Sequence, residues 1–257
     1  MSLVLLAAFA APATASAQEK VGIVRPDNEG ALSDSELGRQ LYAGNCSSCH
    51  GSNGEGVVGE PAEGAGDIQA LGPPLRGVGE GTVDFYLRTG YMPLPEPTQV
   101  PHRTRVLFNE REIRALVAYV GSFGSGLPIP EPQPGNGRVS EGLRLFTEHC
   151  AGCHQVVAAG GYVTDVRVPP LSQATARQIA QAVRIGPYVM PRFSDKAISD
   201  EELDSIVAYV QAAQHPHDEG GWGIGHIGPV PEGMVAWLLG GSLLVLLCAV
   251  IGKRIKQ

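Results

Sequence analysis

The sequence is poor in charged side chains, which make up only 18% of its 257 residues. So low a charged fraction excludes a coiled coil or another long, highly charged helix. The 19 lysines and arginines are outnumbered by 26 aspartates and glutamates, which gives a net charge of −7 at pH 7. A protein that wraps a polyanion needs the opposite sign, so we expect no nucleic acid partner.

Basic residues are also missing from the beginning of the chain, where an apolar run occupies residues 2–13. Small residues follow and end in Ala15, Ser16 and Ala17, which is the pattern of a signal peptidase site. We therefore predict that residues 1–17 form a signal peptide or an N-terminal apolar leader. An uncleaved anchor is the alternative, and the missing basic segment is consistent with a start upstream of Met1 or a trimmed leader.

A second apolar run covers residues 234–251 and contains no charged residue. A helix of this length spans roughly 27 Å, close to the hydrocarbon thickness of a membrane. Lys253, Arg254 and Lys256 follow directly, and the positive-inside rule then places the tail at 252–257 in the cytoplasm. We predict one C-terminal transmembrane helix in the cell membrane, with the rest of the chain on the extracytoplasmic side; a buried core helix is the alternative.

Between these two runs the chain contains an internal repeat, with four landmarks in the same order. The matched pairs are residues 41–50 with 145–154, 73–75 with 169–171, 88–93 with 184–191, and 117–120 with 207–210. We predict two homologous domains, at 18–126 and 138–214. A proline-rich, semi-rigid linker at 127–137 joins them, and a second Gly/Pro linker at 215–233 leads to the membrane.

The strongest helix signals lie at the two ends of each domain, where a capping residue is followed three positions later by glutamate. The pairs are Ser33 with Glu36, Asn109 with Glu112, and Ser199 with Glu202. No convincing strand pattern is present, so the predicted fold class is all-α. The 34 glycines and 20 prolines make the intervening loops poor core formers, so something else must fill each small domain.

Cysteine is scarce, and four of the five cysteines belong to two Cys-x-x-Cys-His motifs, the attachment sequence of c-type haem. The motifs consist of Cys46, Cys49 and His50, and of Cys150, Cys153 and His154. Two thiols three residues apart can add to the two vinyl groups of a haem, and the adjacent imidazole can then reach the iron from the same side. A disulfide, a zinc site or a thioredoxin-like motif fits the bare spacing but not the histidine after both pairs.

Methionine is equally scarce, and Met92 and Met190 occupy equivalent places in the repeat, each followed by proline. We predict that they are the sixth ligands of the two irons, because a soft thioether favours Fe(II) and raises the potential. Packing in the core is the usual alternative for methionine. His102 is the rival ligand in the first domain.

Two further pairs of residues in the repeat have predicted supporting roles. A ligating imidazole normally donates its other N–H to a carbonyl, and Pro73 and Pro169 supply the candidate carbonyls. The alternative for these prolines is a plain turn. Tyr119 and Tyr209, on the last helix of each domain, are expected to pack against the first helix.

These motifs resemble the class I cytochrome c family over about residues 31–125 and 138–214. The shared pattern is an N-terminal helix leading into Cys-x-x-Cys-His, a Gly-Pro-x-Leu-like segment at 72–75, a methionine loop and a C-terminal helix. The tandem arrangement with a single C-terminal membrane helix is similar to the dihaem cytochrome c subunit of the actinobacterial-type cytochrome bc complex. The segment at 228–237, before and into the membrane run, resembles that subunit as well.

The resemblance implies two covalently bound c-type haems, ligated by the cysteines, histidines and methionines named above. It also implies an electron-transfer subunit of a quinol:cytochrome c reductase, a translocase, with no separate catalytic chemistry in this chain. The implied partners are the cytochrome b and Rieske iron–sulfur subunits, which supply electrons after quinol oxidation, and a haem-copper oxidase that receives them in the aerobic respiratory chain.

Two other functions fit parts of the sequence. One is a free-standing, membrane-tethered dihaem shuttle that serves another dehydrogenase or reductase. The other is a peroxidase-type haem enzyme, which needs an open or labile iron position. Both domains supply a methionine, which disfavours the second alternative.

Overall fold

The computed structural model describes residues 22–58, 72–95, 101–163, 166–216 and 229–255. The predicted leader at 1–17 and most of the predicted linker at 215–233 lie outside these ranges. The described residues up to Gln214 form one compact unit, and the described residues from His215 onward form a second.

The first predicted domain contains four described α-helices. They are α1 (Asp34–Asn45), α2 (Ser47–His50), α3 (Glu80–Arg88) and α4 (Glu110–Gly121), preceded by a 3-10 turn at Glu29–Ala31. The buried core of this domain includes Leu37 and Leu41 from α1 and Ile113 and Leu116 from α4.

The second predicted domain repeats this order after a 3-10 turn at Pro134–Asn136. Its elements are α5 (Val139–His149), α6 (Ala151–His154), β1 (Gly161–Val163), β2 (Val166–Val168), α7 (Ala176–Ile185) and α8 (Asp200–Gln214). Leu145 and Phe146 from α5 form its core with Ile206 and Val210 from α8.

Two of the three predicted capping boxes are complete. The Asn109 side chain accepts the Glu112 amide at 3.0 Å, and the Glu112 carboxylate accepts the Asn109 amide at 2.7 Å. Ser199 and Glu202 make the same reciprocal pair at 3.2 and 2.8 Å.

The third predicted box, at the start of α1, is only half formed. Ser33 accepts the Glu36 amide at 3.3 Å, but the Glu36 carboxylate bonds to Arg39 and Gln40 instead of the Ser33 backbone. Arg39 and Gln40 lie three and four residues after Glu36, the positions nearest to it on a helix. They therefore compete successfully with the Ser33 amide for the Glu36 carboxylate.

The first and last helices of each domain cross at a glycine of the first helix. A Cβ atom at Gly38 would lie 2.2 Å from the Ala115 carbonyl oxygen, and one at Gly142 would lie 1.9 Å from that of Ser205. The predicted tyrosine packing occurs beside these crossings. Rings of Tyr42 and Tyr119 are 5.5 Å apart, and rings of Phe146 and Tyr209 are 5.3 Å apart.

The predicted all-α class is confirmed, although one short hairpin is present that the sequence did not indicate. Strands β1 and β2 form an antiparallel pair in which Gly161 faces Val168 and Val163 faces Val166. Each strand has only three residues, which is too short for an alternating hydrophobic pattern to stand out. This hairpin is the one β-sheet within the described ranges, so the fold there is mainly helical.

The linker at 127–137 is hydrogen-bonded to both domains. The Leu127 carbonyl accepts the Gly81 amide at 2.9 Å, and the Leu127 amide donates to Val78 at 3.3 Å. At the other end, the Gln133 amide donates to Asp204 on α8 at 2.6 Å. The linker is thus fastened to each domain.

The second unit contains the described helix α9 (Pro229–Ile255). Within it, Gly233–Arg254 is long and apolar enough to cross a membrane, and none of its most apolar window is buried in the protein. Cys248 is exposed on this helix.

Candidate haem-binding sites

Each Cys-x-x-Cys-His motif lies on a one-turn helix directly after the first long helix of its domain. The His50 amide donates to the Cys46 carbonyl at 2.9 Å, and the His154 amide donates to that of Cys150 at the same distance. One helical turn therefore separates cysteine from histidine in both motifs, which places the two side chains on the same face. The repeat in sequence is also a repeat in local structure.

The loop after each histidine turns through left-handed backbone conformations. In the first domain Gly51 and Gly54 have φ angles of 79° and 67°. In the second domain the corresponding turn uses Gln155 and Ala158, with φ angles of 59° and 57°. A residue with a Cβ rarely adopts this conformation, so the second loop is strained at two positions where the first loop has glycine. Gly160, with a φ of 76°, is the second loop's one glycine of this kind.

The His50 imidazole is oriented by a hydrogen bond at one ring nitrogen, which leaves the other nitrogen to bind a metal. Its Nδ1 lies 2.7 Å from the Pro73 carbonyl oxygen, which can only accept, so Nδ1 carries the proton and the Nε2 lone pair is free. Burial lowers the pKa of His50, and the Pro73 carbonyl opposes this effect without cancelling it. The imidazole is therefore neutral near pH 7, the form that binds metal.

His154 is buried, with 9% of its surface exposed. Burial lowers its pKa as well, and the nearby Pro169 carbonyl opposes that shift. Its Nδ1 nevertheless makes no hydrogen bond of ordinary geometry to the described residues. The Pro73 carbonyl thus makes the bond expected of it, whereas the Pro169 carbonyl lies beside its histidine without completing one.

None of the four motif cysteines forms a disulfide, so each sulfur is available for a thioether link to a haem vinyl group. Burial raises the pKa of Cys46 to about 12 and that of Cys150 to about 11, so both remain protonated near neutral pH. No cluster of three or more His, Cys, Asp or Glu side chains able to hold a metal ion occurs in the described ranges, so the two cysteine pairs do not form a shared zinc site there.

Met92 and Met190 each pack, half-buried, against the core of their own domain. Cys46 contacts the same core as Met92, and Cys150 belongs to the same core as Met190. His102, the rival ligand, is exposed. The packing therefore favours Met92 over His102 as the second ligand of the first domain.

The residues of each domain fit a c-type haem. Each supplies two cysteines that form no disulfide, a neutral imidazole on the same helical turn, half-buried in His50 and buried in His154, and a thioether that packs against the same core. The paired thiols would form the covalent links, and the imidazole and thioether would be the axial ligands.

Comparison with known families agrees with this chemistry. Residues 35–123 match the family model described as cytochrome c. Residues 137–210 match the model described as cytochrome c oxidase, cbb3-type, subunit III. The chain therefore contains two cytochrome c domains, each with a covalently bound c-type haem.

Curated relatives match over most of the chain. A protein of Corynebacterium diphtheriae, named cytochrome bc1 complex cytochrome c subunit, is 32% identical over 91% of this chain and 88% of its own length. A protein of the same name from Mycobacterium tuberculosis H37Rv is 35% identical over 84% of this chain and 77% of its own. A cbb3-type cytochrome c oxidase subunit CcoP from Azospirillum is 26% identical over 67% of this chain and 60% of its own.

Proposed function

The chain belongs to the family of cytochrome bc1 complex cytochrome c subunits, and from that premise we propose that it carries electrons from a Rieske iron–sulfur protein to a haem-copper oxidase. Membership of the family implies electron transfer in a respiratory chain. The donor, the acceptor and the place in a quinol-oxidising translocase are the proposal.

The observation that carries the proposal is the duplicated ligand set within one compact unit. A c-type haem with histidine and methionine ligands supplies reversible one-electron chemistry at a raised potential. His50 and His154 would each hold one axial position, and Met92 and Met190 the other. With both positions filled by the protein, peroxide or a small anion would have no open site to enter.

We assign the orientation of the two imidazoles to backbone carbonyls that accept their Nδ1 protons. The Pro73 carbonyl fixes the ring and tautomer of His50 through its 2.7 Å contact. In this structure the Pro169 carbonyl lies beside His154 without a hydrogen bond of ordinary geometry, and we propose that it accepts the Nδ1 proton when haem is bound.

The direction of transfer is supported by the two family matches. The second domain matches a model of an oxidase subunit, whereas the first matches cytochrome c in general. We therefore assign the first domain to the Rieske and cytochrome b side, and the second to the oxidase. A covalently joined second domain would replace a diffusing cytochrome c.

The membrane helix supports an extracytoplasmic position for both domains. Lys253 and Arg254 lie at its C-terminal end, and the positive-inside rule assigns that end to the cytoplasm. The preceding chain then lies on the side where quinol-derived electrons reach the Rieske protein.

The ligand assignment is tested by replacing each methionine with histidine. Met92→His and Met190→His should each lower the midpoint potential of one haem, within the roughly 0.8 V range over which axial ligands set haem potentials. Met190→His should also slow reduction of the oxidase.

Met234→His is the matched control for a redox titration followed by absorbance, because Met234 lies on α9 and is 59% exposed. It should leave both potentials unchanged. An unchanged titration for Met92→His or Met190→His would contradict the assignment of that methionine.

A further inference from the structure

Helices α3 and α7, one from each domain, are joined by a buried hydrogen-bonded contact. Gln181 on α7 is completely buried. Its Nε2 donates to the Asp84 carboxylate on α3 at 2.8 Å and to the Gly81 carbonyl at 3.1 Å. One amide group therefore bridges the two domains through two bonds.

The acceptor of this contact is itself held in place. Asp84 is 2% exposed, and its other carboxylate oxygen accepts from Arg88 at 2.6 Å. Arg88 also bonds Glu110 at the start of α4, at 2.7 Å. Gln181 thus donates to a carboxylate that Arg88 already holds in place within the first domain.

Because the contact is buried, losing its hydrogen bonds would be costly. A buried polar group without a partner is costly, and the Gln181 Oε1 atom has none among the described residues. If an apolar side chain replaced Gln181, the buried Asp84 carboxylate and the Gly81 carbonyl would both lose this donor, and the loss would be costly.

The linker packs against the same turn of α3. The Gly81 amide donates to the Leu127 carbonyl, and a Cβ atom at Gly81 would lie 2.3 Å from the Pro128 carbonyl oxygen. The first turn of α3 is therefore held by α7 on one side and by the linker backbone on another.

The contact also connects the two methionine loops. The Tyr86 carbonyl, on α3, accepts the amide of Met92 at 3.2 Å. On α7, the Val183 carbonyl accepts the amide of Phe193, three residues after Met190, at 2.9 Å. A shift of α3 against α7 would therefore change the spacing of the two loops.

We propose that Gln181 and Asp84 are positioning residues that lock the two haem domains into one rigid body and fix the spacing of their methionine loops. The importance of that spacing rests on the proposed function, because electrons must cross from one domain to the other. The lock itself can be tested without quinol, Rieske protein or oxidase.

The test is a distance measurement by pulsed electron paramagnetic resonance on the full-length, haem-loaded chain in detergent. Spin labels are placed at the exposed positions Ala118 on α4 and Ala212 on α8, each changed to cysteine, with Cys248→Ala to remove the exposed thiol of α9. The labels are Gd(III) chelates, because the reductant that keeps both haems as silent low-spin Fe(II) would also reduce a nitroxide.

The unsubstituted interface should give one narrow distance distribution, and Gln181→Leu should broaden it. Gln173→Leu is the matched control, because Gln173 is exposed just before α7, and it should leave the distribution narrow. If Gln181→Leu does not accumulate as folded protein, Gln181→Asn retains the amide on a side chain one methylene shorter and should broaden the distribution in the same way.

A second measurement separates positioning from damage to the haem sites. Gln181→Leu should slow electron equilibration between the two haems after rapid reduction of one, while both midpoint potentials stay unchanged. A narrow, unshifted distribution for the folded variant, or an altered potential, would overturn the proposal. Broadening in a chain that fails to reduce an oxidase would refute the proposed function and leave the lock intact.

Discussion

The crossing of α5 and α8 at Gly142 gives the most quantitative test of the fold. An alanine Cβ at this position would lie 1.9 Å from the Ser205 carbonyl oxygen. Even a close carbon–oxygen contact needs about 3.3 Å, so α8 would have to move away by more than about 1 Å. The obstacle is helix backbone, which cannot rotate aside as a flexible side chain can.

The expected cost combines two opposing effects. Overpacking a close-packed interior costs about 1–3 kcal/mol, and a rigid backbone obstacle belongs at the upper end of that range. Replacing glycine by alanine within a helix returns about 1 kcal/mol of helix propensity. We therefore expect Gly142→Ala to reduce the free energy of unfolding by about 2 kcal/mol.

Denaturant unfolding of the haem-loaded chain, followed by helix circular dichroism, measures this loss as a lower midpoint at constant slope. Gly38→Ala should behave similarly, since its Cβ would lie 2.2 Å from the Ala115 carbonyl oxygen. Gly135→Ala is the control, because its Cβ meets nothing within 4 Å, and its effect should stay within about 0.5 kcal/mol. An unchanged or raised midpoint for Gly142→Ala would refute the close crossing.

Two further stability changes follow from the first domain. Asn109→Ala removes a complete capping box and should lower the free energy of unfolding by about 1 kcal/mol, measured in the same denaturant assay; no change would show that α4 does not depend on this cap. Arg25 bonds the fully buried Glu112 at 2.5 Å, whereas Arg39 bonds the half-exposed Glu36. Arg25→Ala should therefore cost more than Arg39→Ala, which removes an exposed pair worth about 0.2–1 kcal/mol, and equal losses would contradict the difference in burial.

Local chemistry made much of the site predictable from sequence. The Cys-x-x-Cys-His motifs and the single methionine in each repeat could be recognised as haem-binding residues from their spacing alone. The Asn109 capping box was likewise visible, because both partners lie within one helical turn. The Ser33 box failed in part because Arg39 and Gln40 lie equally close to Glu36, and sequence spacing does not rank such competitors.

Contacts between distant segments left no comparable signal. Gln181 and Asp84 are 97 positions apart and lie in different domains. The one available hint was the position of Gln181 among apolar residues of α7, beside Ile179, Ala180 and Val183, all of which are buried. The glycines at the helix crossings were missed for the same reason, since only the opposing helix shows why a side chain is excluded.

The most direct test of the proposed function is the composition of the complex that contains this chain. The tagged chain is purified gently from its native membrane, and a reduced-minus-oxidised absorption spectrum is recorded. We predict two c-type haems per chain together with the bands of b-type and a-type haem, from the quinol-oxidising and oxidase partners. A c-type spectrum alone would contradict the respiratory assembly and indicate a separate membrane-tethered shuttle.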